Sequence, residues 1–184
     1  MPDQHKPDTI TKYKGCLHAA SRKIGIAEFH LKHLRIELAA TAVQNENPPP
    51  IPIQAYFEGV VSSVISAIDQ VAQAANYVFS LHLSNGSLVE KSFAALITEI
   101  PGLQTWYSNS FGTDLRRIRA RMVHYSYKKM PLKLVWTVES ADSKYTGPRD
   151  LETYADKALK YGLELTANLS TIEQKLLEHC QRTN

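Results

Sequence analysis

The 184-residue chain has only two cysteines, Cys16 and Cys180, far apart and with no second cysteine near either. That excludes a cysteine-based zinc pair and a disulfide framework, and leaves two reduced thiols as the expectation. It has no glycine-rich phosphate loop, no nucleophile-elbow pattern and no spaced Cys/His set, so dehydrogenase, P-loop and serine-hydrolase chemistry lose their sequence basis. No apolar leader opens the chain, and we expect a cytoplasmic protein with no membrane span. Charge of one sign is not in large excess either: the net charge is +3. An anionic partner is permitted by that balance, and where the charge sits becomes the informative feature.

What is present is helical patterning. Residues 1–14 are polar with two prolines and read as a flexible tail, leaving 15–184 as a single domain. From about 17 to 45, Ile24, Ala27, Leu31, Leu34 and Leu38 form one apolar stripe. Ile26, Phe29, Ile36, Ala40 and Val43 form a second on nearly the opposite side. A helix with two apolar faces is either central to its bundle or shared with another subunit. "NENPPPIP" (45–52) ends it. A second long helix follows over about 53–83, with Phe57, Val60, Val61, Val64, Ile65, Ile68 and Val71 on one wide face and Glu58, Ser62, Ser66, Asp69 and Gln73 opposite. A shorter helix is expected over 87–100, then a loop carrying aromatic anchors, then a helix with Thr113 as its N-cap and Asp114 in its first turn. Residues 132–140 read as a short strand or an extended arm. Leu151, Ala155, Ala158, Gly162, Leu165, Leu169, Ile172, Leu176 and His179 follow a four-then-three spacing, the seam of a long terminal helix. The expected fold is all-α, an antiparallel bundle of four to five helices with two long N-terminal ones.

His30 and His33, with Glu37 four further on, have a spacing at which a helix can share a ligand. The pattern is common, and a satisfied core or interface histidine is its usual meaning; no metal and no cofactor are expected. The densest positive run is "LRRIRARMVHYSYKK" (115–129). Helical spacing divides it into an inward seam of Leu115, Ile118, Met122 and Tyr125 and a basic ridge of Arg117, Arg121, His124 and Lys128, flanked by Arg116 and Arg119. Such a ridge is either a solvated cationic face or a surface that grips phosphates, with Tyr107, Tyr125 and Tyr127 available to stack on bases.

Within this run Arg119-Ala-Arg-Met-Val-His124 resembles the R-x4-H motif of the HEPN domain family (higher eukaryote and prokaryote nucleotide-binding domains). Where that family often has asparagine after the arginine, this chain has Ala120. The resemblance implies a small helical bundle, RNA or nucleotide as ligand, a homodimer, and metal-independent RNase activity of the kind found in toxin–antitoxin and defence systems. It assigns His124 as proton acceptor and donor and Arg119 as the group that stabilises phosphoryl charge. Residues five apart on a helix diverge by roughly 140°, so Arg119 and His124 do not stack in one chain. A two-fold axis beside the helix would gather both copies around one cleft. The alternative is a non-catalytic bundle that binds nucleotide, RNA or a protein through the ridge.

Overall fold

A computed structural model describes residues 6–40, 50–83, 88–124 and 150–182. They form seven helices and no strand: α1 (Lys6–Ala40), α2 (Ile51–Val78), α3 (Leu88–Glu99), α4 (Leu103–Tyr107), α5 (Ser110–His124), α6 (Leu151–Ala167) and α7 (Leu169–Arg182). The all-α bundle expected from the patterning is therefore observed, with more and shorter pieces in its second half. The segment 132–140 lies outside the described residues.

α2 is the central helix. Ile53, Phe57, Val60, Val61, Val64, Ile68 and Val71 are buried, and Ser63, Ala67, Ala74 and Asn76 on the remaining faces are buried as well. It is long and apolar enough to cross a membrane, yet half of that apolar stretch is covered by the other helices, as for the core helix of a bundle. Pro50 precedes it and Pro52 lies in its first turn, where a missing N–H costs little. It ends at Val78, before the end near residue 83 that the sequence suggests. The Asn76 carbonyl accepts from Leu81 N at 3.2 Å and its side-chain Oδ1 from Leu83 N at 3.1 Å. Those bonds hold a turn with Ser80 and His82 at positive φ.

α1 also departs from expectation. It begins at Lys6 rather than near 17, so residues 6–14 are helix and not tail. Pro7 stands in the first turn, where a helix accepts proline. Asp8 is close to the positive N-terminal dipole and pairs with Lys12 at 2.5 Å. Tyr13 is fully buried, and Lys14 pairs with Glu173 of α7 at 3.3 Å. Farther along, Ile24, Ala27, Leu31 and Leu34 are buried as their stripe requires.

α6 runs antiparallel to α1. Arg35 bonds Glu152 at 3.0 Å and Asp156 at 2.8 Å near the start of α6, while Gly162 faces Ile24. A Cβ at Gly162 would come within 2.5 Å of the Ile24 Cδ1, so the glycine permits the close crossing. The predicted seam is real: Leu151, Ala155, Ala158, Leu165, Ile172 and Leu176 are buried. The helix is interrupted at Asn168, whose Nδ2 donates to the Glu164 carbonyl at 2.7 Å. His179 then meets Phe79 edge-on, with ring centres 4.7 Å apart.

Candidate nucleic-acid interface

α5 carries the basic run, and its first half is firmly seated. Asn109 caps it: Oδ1 accepts from Gly112 N at 2.6 Å. Thr113, expected as the cap, lies inside the helix, and its hydroxyl donates to the Asn109 carbonyl at 3.2 Å. Leu115 and Ile118 are fully buried, as the seam predicts, and Phe111 packs on Tyr154 with ring centres 5.0 Å apart. Asp114, fully buried, accepts from the Tyr154 hydroxyl at 2.7 Å. A buried carboxylate needs such partners, because leaving it unpaired costs several kcal/mol, on the order of a lost ion pair.

Arg116 does not flank an open ridge; it turns inward. Its guanidinium donates to the Tyr161 hydroxyl at 3.2 Å and to the Tyr107 carbonyl at 3.1 Å, and it lies 4.4 Å from the centre of the Tyr107 ring. Tyr161 stacks on Trp106 at 4.4 Å, and the Trp106 indole N–H donates to the Tyr161 carbonyl at 3.0 Å. Tyr107 stacks on Phe93 at 4.7 Å. Burial pushes the Tyr161 hydroxyl up to about 12, with Arg116 opposing the shift. Burial likewise raises Tyr107. Both hydroxyls therefore stay protonated at neutral pH, and Tyr107 is an anchor for Arg116 instead of a stacking platform for a base.

Of the residues singled out in the sequence, Arg117 is exposed on α5. Arg119, Arg121 and His124 are positions on the same helix, and their side chains lie outside what is described. Tyr125, Tyr127 and Lys128 lie outside the described residues altogether. Helical register aligns Arg117, Arg121 and His124, whereas Arg119 comes one turn after Arg116 on its flank. The pair of the motif thus sits at the C-terminal end of α5. At the N-terminal end, a separate open cleft of about 380 Å³ lies against α6, lined by Asn109, Phe111, Lys157, Lys160 and Tyr161. Its lysines are already engaged, Lys160 with Asp156 at 2.8 Å and Lys157 over the Phe111 ring at 5.0 Å.

His30 and His33 of α1 point to packing. The His30 ring lies against Gly59 of α2, and its Nδ1 is buried with no hydrogen-bond partner among the described residues. His33 Nδ1 is 2.9 Å from the Phe29 carbonyl, and its ring stands 4.1 Å from Phe29 and 5.3 Å from Tyr56. Among the described residues no group of three or more His, Cys, Asp or Glu gathers as a metal site. Neither Cys16 nor Cys180 is in a disulfide.

Sequence reasoning missed the Arg116–Tyr107–Tyr161–Trp106 cluster. Its signal was the pair Tyr154 and Tyr161, two turns apart on one face of α6 and therefore aimed at a common neighbour. The described residues define a helical bundle presenting a basic helix. No protein-family model, no curated protein and no solved structure matches this chain.

Proposed function

We propose that this is a HEPN-like helical protein and a metal-independent RNase that acts as a homodimer, with His124 and Arg119 at the scissile phosphate. The observation that carries the reading is the seating of α5: buried Phe111, Asp114, Leu115 and Ile118 fix one face, and the helix continues unbroken through His124. Arg119 and His124 are then positions on a helix whose preceding turns are anchored in the core, the kind of support that a catalytic pair requires. In the reaction a ribose 2′-hydroxyl loses its proton to the imidazole and attacks the adjacent phosphorus. The new P–O2′ bond forms as the P–O5′ bond breaks, and the departing 5′-oxygen takes back the proton that the imidazolium of His124 holds. Arg119 stabilises the charge on the non-bridging oxygens.

Cleavage of single-stranded RNA in EDTA tests this. His124→Ala and Arg119→Ala should each reduce the rate by about 100-fold or more; cleavage that survives both substitutions ends the reading. Ala120 favours a second one, in which the same ridge binds RNA, nucleotide or a protein without turnover. That reading expects salt-sensitive binding with no product.

A further inference from the structure

The open cleft of about 380 Å³ between the start of α5 and α6 takes no part in the proposed function. Lys157, Lys160, Tyr161 and Glu164 line it from α6, where offsets of three, four and seven put side chains on one side of a helix. Phe111 and Tyr161, both buried, give it an apolar floor. One polar atom there is only half used. The Tyr161 hydroxyl lies against Gly112 and accepts from Arg116 at 3.2 Å, but its own proton goes to no acceptor among the described residues. Burial keeps that proton in place at neutral pH. A donor on a side chain only 3% exposed is costly to leave unmatched, so water or a ligand is its expected acceptor.

The lysine contacts do not close the cleft. Asp156, the partner of Lys160 at 2.8 Å, is also held by Arg35 at 2.8 Å. Lys160 can therefore turn away without stranding the carboxylate, and so exposed a pair contributes little. Lys157 stands 5.0 Å from the centre of the Phe111 ring, and an ammonium with three donors can meet an anion from there. Along α6 the charge then changes sign, with Glu164 following Lys160 by about 6 Å of helix rise.

We infer that this cleft binds a small aromatic acid with a hydroxyl opposite its acid group. The carboxylate accepts from the Tyr161 hydroxyl and the two lysines, the ring lies on Phe111 and Tyr161, and the ligand hydroxyl donates to Glu164. Para substituents on a benzene ring point in opposite directions, which matches the change of sign along α6. The site is at the opposite end of α5 from Arg119 and His124, so it stands apart from the RNase reading.

The test is an NMR titration of the full chain, labelled with nitrogen-15 and free of RNA, with 4-hydroxybenzoate. Saturable shifts should centre on residues 109–112 and 157–164. Tyr161→Phe, which keeps the ring, should weaken binding roughly tenfold, as should Lys157→Ala with Lys160→Ala. Glu164→Ala, a change at an exposed position, should weaken 4-hydroxybenzoate and leave benzoate unaffected. No saturation in the millimolar range, shifts centred elsewhere, or affinity indifferent to all three variants overturns the inference. Tighter binding of inorganic phosphate than of 4-hydroxybenzoate overturns it as well.

Discussion

Arg116 and Arg117 are neighbours in sequence and opposites in role. Arg116 is tied to Tyr161, Tyr107 and Thr113, while Arg117 is exposed. Arg116→Ala should therefore lower stability by about 1–3 kcal/mol, the cost of leaving buried partners unsatisfied. Arg117→Ala should cost less than Arg116→Ala, because an exposed guanidinium makes only solvent-screened contacts; urea denaturation of the two variants makes the comparison. Periodicity could not separate them, because a long guanidinium reaches inward from a position that the helical wheel assigns to solvent. His30 gives a pH signature. Burial first, and then the charge of His33, lower its pKa from the ordinary 6.5. The folded state thus resists protonation more than the unfolded one, so this contribution is complete above about pH 6.5 and is lost as pH falls towards the folded-state value. The urea midpoint should drop between pH 7.5 and 5.5, and the drop should shrink in His30→Gln. An equal drop in wild type and variant would contradict the assignment.

Among the elements, the long apolar repeats were legible and the ends were not. The buried stripe of α1 and the seam running through α6 and α7 follow directly from residue spacing, because burial is what sets that spacing. The start of α1 at Lys6 was hidden: polar residues and prolines resemble a tail until α7 packs beside Tyr13 and Lys14. The early end of α2 depends on Asn76 bonding to Leu81 and Leu83, a local folding-back that no periodicity records. The start of α5 was misplaced by four residues because Asn109, Ser110 and Thr113 are all plausible caps and only one has the geometry. Asn109→Ala should cost about 1 kcal/mol of stability, and Thr113→Val much less than a cap; thermal unfolding of both decides which residue caps α5.

For the whole molecule, composition and helical spacing were enough to establish an all-α bundle, and the second apolar stripe of α1 was visible as well. Which helix becomes central was not, since α1 and α2 are both long and apolar; α2 takes the place because small residues such as Ala67 and Ala74 let neighbours approach on every side. The candidate site was legible as a motif, Arg119 to His124, and as a ridge through Arg117 and Arg121. The inward turn of Arg116 depends on residues 45 positions away in Tyr161, a long-range contact that one segment cannot disclose. The proposed function rests on the motif doing chemistry, and one measurement addresses that most directly: incubation of the purified protein with 5′-labelled single-stranded RNA in EDTA, beside His124→Ala and Arg119→Ala. The account predicts products ending in a 2′,3′-cyclic phosphate from the wild type, formed about 100-fold or more slowly by either variant. Intact RNA with the wild type, or the same products at the wild-type rate from the variants, would contradict it.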